Sequence, residues 1–152
     1  MSGSGESVDR LEREILIRAP IARVWRLISE PGWWIGDGDR SRQVITRDGD
    51  VVVVDDPRFG RWPVLPVSTE PSHYASYRGG EDPDQIPAEG TSTLVEFFLT
   101  KHDGGTLLRV VESGFASLAM TAEARAAALE DTIEGWQLQL GFAKRDAERI
   151  RA

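Results

Sequence analysis

A carboxylate on an apolar strand face is the residue of this sequence best placed to do chemistry. Leu108, Val110, Glu112 and Gly114 fall at alternate positions and so share one face of a strand. Beside two aliphatic neighbours Glu112 is partly desolvated, which raises a carboxyl's pKa and suits it to act as an acid, a base or an anchor for a ligand hydroxyl. The structural alternative is a carboxylate bonded to an arginine or a backbone amide at a cavity mouth. The two histidines, His73 and His102, lack the HxxxH or HExxH spacing of a metal site and read as surface or rim residues. His73 is the better functional candidate of the pair, because its strand could face a cavity. Asp37/Asp39 and Asp55/Asp56 lack the further oxygen ligands of a DxDxDG loop, and Asp48 and Asp50 flank a turn glycine, so all six read as turn residues and no metal is expected. Gly36 and Gly38 have neither the spacing nor the lysine of a phosphate loop. Ser41, Ser68, Ser92 and Thr93 stand in no nucleophile–base motif, which argues against hydrolysis by an activated hydroxyl.

Five tryptophans in 152 residues are the strongest compositional clue. Trp25 and Trp136 lie on apolar helix faces and read as core. Trp33, Trp34 and Trp62 lie in irregular segments, where an aromatic can equally pack or cap a flat apolar ligand.

The elements that must position these side chains follow from periodicity. Residues 12–18 alternate as a strand with Ile15 and Ile17 on one face. Pro20 then opens a helix whose stripe is Val24, Trp25, Leu27 and Ile28, ended by Pro31 and Gly32. Trp33–Ile35 forms one helical turn or a loop. Two strands meet at Asp48-Gly49, a dipeptide suited to a two-residue hairpin. The stretch 58–70 is β-like, but Pro63 and Pro66 predict an edge or irregular strand. Residues 72–78 make the next strand, 79–90 an acidic surface loop, and 91–101 with 106–115 a long hairpin around Asp103–Gly105. From Thr121, a plausible cap, the composition turns helical, with Leu129, Ile133, Trp136, Leu140, Ala143 and Ala147 on one face. The plan is α+β: an antiparallel sheet of about six or seven strands, one or two short helices after the first strand, and a long C-terminal helix over the sheet.

Length and charge bound the rest. The chain is expected to be a flexible tail over 1–10 and one domain over 11–152, long enough to bury roughly 70% of its unfolded surface. Its net charge of −7 argues against nucleic acid as a partner. The absence of Cys excludes disulfides, a thiolate nucleophile and a thiolate zinc site, and the simplest compartment is a reducing cytoplasm. The first residues lack the pattern of a secretory signal, and no apolar run approaches the ~20 residues of a spanning helix, so no membrane is expected.

Three segments carry a resemblance. Ile15–Ser29, ILIRAPIARVWRLIS, resembles the first strand and helix of the SRPBCC superfamily, whose fold is the helix-grip of START and birch-pollen-allergen proteins. Thr106–Phe115 resembles that superfamily's last strand with its Glu-x-Gly-Phe ending. Glu134-Gly135-Trp136, with Leu138 and Leu140, is similar to the start of the grip helix in homologues of the activator of the heat-shock protein 90 ATPase. The sequence departs from the pattern at Tyr77-Arg78-Gly79-Gly80, where a Trp often ends strand five. The resemblance implies a curved sheet wrapped around the long helix, and between them a cavity for a hydrophobic or aromatic small molecule, with no cofactor. It places Trp33, Trp34 and Trp62 near the cavity mouth. The expected lining continues through Val64, His73, Tyr77, Val95 and Phe97, then Leu108, Val110, Glu112, Phe115 and Met120, and closes with Trp136 and Leu140 from the helix. A second implied reading is an aromatase/cyclase-type enzyme in which Glu112, with His73 or Tyr77, moves protons. A third is a stress-linked co-chaperone. A homodimer joined through the exposed face of the strands is the remaining partner expectation.

Overall fold

The computed structural model describes residues 9–80, 82 and 84–149. The expected tail over 1–8 and the last residues of the expected C-terminal helix lie outside them. In chain order the elements are β1 (Arg10–Ile17), α1 (Ile21–Ile28), β2 (Val44–Asp48), β3 (Val51–Asp56), β4 (Gly60–Glu70), β5 (Tyr74–Gly79), β6 (Thr93–His102), β7 (Gly105–Ser113), one 3-10 turn (Phe115–Ser117) and α2 (Ala122–Arg149). All strand pairs are antiparallel, in the order β1-β7-β6-β5-β4-β3-β2, so the first strand closes against the last. The sheet and the long helix make the α+β helix-grip arrangement. None of the described helices is long and apolar enough to cross a membrane.

The hairpins form where turn chemistry allows. Gly49, at φ 65°, makes the tight β2–β3 turn, and Asp103 and Gly104 join β6 to β7 with positive φ at both. β7 ends at Gly114, whose φ of 96° swings the chain out of the sheet and delivers Phe115 to the interior. Thr121 caps α2 by accepting a hydrogen bond from the Ala124 N–H at 3.1 Å.

Alternation puts Leu11, Ile17, Val54, Val64, Ala75, Tyr77, Val95, Phe97, Leu99, Leu108 and Val110 into one core with the buried face of α2. That face is Trp136, Leu140, Ala143 and Ala147. Each large side chain buried there stabilises the fold by roughly 1.5–3 kcal/mol. The small Ala143 and Ala147 let the C-terminal half of α2 close on β1 and α1. There Glu148 accepts from the Arg18 N–H at 2.8 Å, and Arg23 donates to the Ala147 carbonyl at 3.3 Å. The N-terminal half is tied instead to the segment before it, Arg125 donating to the Leu118 and Met120 carbonyls at 3.2 and 2.6 Å, and an open space lined by Ala128 and Thr132 lies on that side.

Four sequence expectations change. Asp9 and Arg10 belong to the fold rather than to a tail: Arg10 pairs with Ser113, and the Asp9 carbonyl accepts from the Phe115 N–H. One helix, not two, follows β1. Residues 31–38 form successive turns, because Gly32, Gly36 and Gly38 all take positive φ and a Cβ on Gly32 would stand 2.6 Å from Val54. β4 is not an edge strand but the irregular interior one, the other half of the expectation. Pro63 sits where β5 is about to end and Pro66 beside a break in register, positions at which a missing N–H costs little. β5 begins at Tyr74, because Ser72 (φ 72°) still belongs to the preceding turn.

Candidate functional site

The loop after α1 carries two tryptophans into the middle of the molecule. Trp33 packs on Phe97 and Trp136 with ring centroids 5.3 and 6.0 Å apart. Trp34 packs on Tyr77, Phe97 and Trp136 at 5.4, 5.5 and 6.0 Å. These five rings fill the space between sheet and helix. Tyr77 locks the arrangement by donating its hydroxyl to the Ile28 carbonyl at 2.9 Å. Burial pushes its phenol far above the ordinary range, and the charge of Glu30 adds to the shift.

The turns that hold this loop are pinned by residues whose importance sequence reading missed. Gln43 donates from one amide nitrogen to the Ile35 carbonyl at 2.9 Å and to Asp56 at 3.1 Å. Gln139 reaches from α2 to the Gly36 carbonyl at 2.7 Å. Asp56 is buried and is more than a turn residue. The Arg58 N–H holds its carboxyl below the ordinary range, and the bonds from Gln43 and Phe59 add to this against the cost of burial. No sequence signal marked them, because their partners come near only in the completed fold. Asp37 pairs with Arg58, and Asp39 accepts from Ser41, as turn residues do.

Beyond the aromatic plug lies a cleft of about 310 Å³, bounded by β4, β5, β6, the end of β7 and the N-terminal half of α2. Of the expected lining residues it holds Trp34, Trp62, Val64, Val95, Glu112, Phe115 and Met120. Trp33, Tyr77, Phe97, Leu108, Val110, Trp136 and Leu140 are instead buried in the core. They lie deeper along the strands and helix, where rings and aliphatic groups already fill the space. His73 is exposed in the β4–β5 turn, where its N–H donates to the Glu70 carbonyl, and it does not reach the cleft. The cleft also takes in Gly79 and Gly80, the two glycines at the departure from the family pattern, and four hydroxyl residues, Thr91, Ser92, Thr93 and Thr132.

Glu112 is the chemical centre of this cleft. Register places Val95 directly across from it on β6, so Thr93, two residues on, lies diagonally on the same face. Thr93 bonds its hydroxyl to Oε2, and Trp136 donates its indole N–H to Oε1 at 2.6 Å. Neither partner is the arginine or backbone amide that sequence reading suggested. Burial raises the Glu112 pKa above the ordinary carboxylate value, while the two hydrogen bonds partly oppose that shift. The arrangement can hold a proton, or present one, at the floor of the cleft.

No family model matches the sequence, and no curated protein is significantly similar to it. Solved structures do share its shape. A crystallised protein of Mesorhizobium loti superposes with a TM-score of 0.69 at 19% identity, over 94% of this chain and 99% of that one. The Aha1 dimer of Colwellia psychrerythraea gives 0.64 at 14% identity, over 94% and 98%. The di-domain ARO/CYC StfQ of the steffimycin biosynthetic pathway gives 0.61 at 15% identity, over 91% of this chain and 50% of that one. At these identities the likeness is one of fold.

Proposed function

We propose that this helix-grip chain binds a small, apolar, ring-bearing molecule in the cleft between the sheet and the N-terminal half of α2. The observation that carries the reading is an open space of about 310 Å³ walled by Trp34, Trp62, Val64, Val95, Phe115 and Met120, with one buried, hydrogen-bonded carboxyl at its floor. That volume lies at the small end of ligand sites, so the ligand is of one or two rings rather than a long lipid. The aromatic plug supports the same limit by closing off the interior.

The test uses Gly79, which pairs with Val64 and Thr93 and lines the cleft with them. Its backbone accepts a side chain, and a Cβ there would sit 3.9 Å from Trp34, an ordinary contact. Gly79→Phe should fill the cleft and abolish binding of the uncharged fluorophore N-phenyl-1-naphthylamine, with the far-UV circular dichroism unchanged. Undiminished binding would place the fluorophore elsewhere and sink the reading. Val110 is a poorer position for such a filling variant, since it is fully buried and a larger side chain there would disrupt the core.

A second reading, acid–base catalysis of the aromatase/cyclase type, is supported by Glu112 alone. Tyr77 is tied to Ile28 and His73 is remote, so neither can share the proton work first assigned to them. It predicts that Glu112→Gln keeps fluorophore binding but loses catalysed deuterium exchange at the methyl group of 2-acetylnaphthalene. Self-association is supported by β2, a sheet edge whose every residue is exposed, Val44 and Ile45 by 58% and 54%.

A further inference from the structure

The four hydroxyls of the cleft are not equivalent. Ser92 donates to the Ala88 carbonyl at 2.9 Å, Thr91 to the same carbonyl at 3.2 Å, and Thr132 to the Ala128 carbonyl at 2.7 Å. Those protons are committed to backbone. The indole N–H of Trp62 is committed as well, to the Phe59 carbonyl. Thr93 differs, because its partner is a carboxyl that can itself carry a proton. When Glu112 is ionised, Thr93 donates to it. When Glu112 is protonated, the acid donates to Thr93 Oγ1, and the hydroxyl hydrogen is released toward the cleft. Trp136 keeps its bond to Oε1 in either state. Burial of Glu112 favours the second arrangement.

Charge gives an independent constraint. Among the described residues that line the cleft, Glu112 is the only ionisable one, and no Lys, Arg or His accompanies it. The neighbouring guanidinium groups, of Arg78 and Arg125, are turned to the carbonyls of Ser92, Leu118 and Met120. An anionic ligand would leave water with no cation in the lining to receive it and an acidic group beneath it, which is unfavourable. An uncharged oxygen acceptor meets the Thr93 hydroxyl with no such cost.

We propose that the cleft selects uncharged ligands carrying a hydrogen-bond-accepting oxygen, such as aryl ketones, seats that oxygen on Thr93 backed by Glu112, and turns away carboxylates of the same shape. This rests on the cleft-binding reading above and adds the chemistry of the head group to it.

Three naphthalenes of similar size separate the terms: 2-acetylnaphthalene, 2-ethylnaphthalene and 2-naphthoate, each competed against N-phenyl-1-naphthylamine at neutral pH. The ketone should bind at least about tenfold more tightly than the carboxylate, and about threefold or more above the hydrocarbon, as expected for one net hydrogen bond. Thr93→Val should erase the ketone's advantage over 2-ethylnaphthalene. Should that variant fold poorly, Glu112→Gln gives a second readout. Its amide N–H donates to Thr93 and leaves the hydroxyl hydrogen free, so the ketone's advantage should persist or grow. Equal affinity for ketone and carboxylate, or for ketone and hydrocarbon, overturns the selectivity while leaving the cleft reading intact. Failure of the fluorophore and of all three naphthalenes to bind overturns both.

Discussion

The bond from Trp136 to Glu112 joins the grip helix to the last strand, and its worth can be measured by a double-mutant cycle. Trp136→Phe removes an N–H donor lying 2.6 Å from Oε1 and leaves the carboxyl with Thr93 alone. A hydrogen bond to a charged group is worth about 1.5–3 kcal/mol. The smaller ring also leaves roughly 35–40 Å³ unfilled, which at about 24 cal/mol per Å³ adds about 1 kcal/mol. The expected loss is therefore about 2.5–4 kcal/mol with Glu112 ionised, or some 2–4 °C of Tm for each kcal/mol at this length. In a Glu112→Gln background the same N–H meets a neutral acceptor, worth about 0.5–1.5 kcal/mol, so the cycle should give a coupling of about 1–2 kcal/mol. The pH dependence has a definite sign. The folded pKa of Glu112 lies above its ordinary value of 4.5, so its favourable contribution is full below that value and is lost as pH rises through the folded pKa. The indole bond opposes this loss by favouring the charged form. The coupling should thus be larger above the folded pKa than at about pH 4. Urea unfolding followed by far-UV circular dichroism avoids the fluorescence lost with the tryptophan. A coupling near zero at both pH values would refute the claim that the indole supports the carboxylate.

Other substitutions test the surrounding frame. Glu112→Gln alone, able to accept from Trp136 and donate to Thr93, should gain stability relative to wild type as pH is raised above about 5, and parallel pH profiles would show that burial does not hold the proton. Asp56→Asn should weaken the grip of Gln43 on the Trp33–Ile35 loop and cost about 1–3 kcal/mol in urea unfolding. An unchanged midpoint would mean that the loop is held by packing alone. Tyr77→Phe leaves the Ile28 carbonyl without its donor and should cost about 1–3 kcal/mol, read as a lowered Tm. Ile45→Lys at the exposed β2 edge should shift the mass from light scattering from dimer to monomer, and a monomeric wild type would remove the basis for self-association through that edge.

Much of this is legible in the sequence. Alternation identified the inward face of β7, and counting outward from the Asp103-Gly104 turn gives the pairing of Val95 with Glu112. That count alone would have placed Thr93 beside the carboxyl. Depth was not legible. Period-2 patterning states which face Val110 and Val95 share but not that the first lies under the aromatic plug and the second beside an opening. That difference depends on where along the sheet the helix presents Trp136 and where it presents Ala143. His73 failed for a local reason, since the positive φ of Ser72 delays the start of β5 by two residues. Of the two readings of Pro63 and Pro66, an edge or an irregular strand, the second holds, because a lost N–H excludes a proline from the middle of a regular ladder but not from a strand end or a bulge. Gln43, Asp56 and Gln139 were invisible because their partners are backbone carbonyls and side chains brought near only by the completed fold.

The closure of β1 on β7 has a consequence for how the molecule comes to exist. Arg10 finds its partner in Ser113 and Ile17 in Thr106, so the first strand has no neighbour until a chain some hundred residues longer has been made. At about 5–20 residues per second that wait lasts roughly 5–20 s on the ribosome, during which Leu11 and Ile17 have no core to enter. The β2–β5 meander can assemble earlier from local hairpins, whereas the first strand, the last strand and the grip helix must arrive almost together. Folding is therefore expected to be slow for a chain of this size and governed by this late closure. Substitutions in the β2–β3 hairpin, formed before that closure, should then act mainly on the refolding rate, and those in β1–β7 contacts completed after the barrier mainly on unfolding.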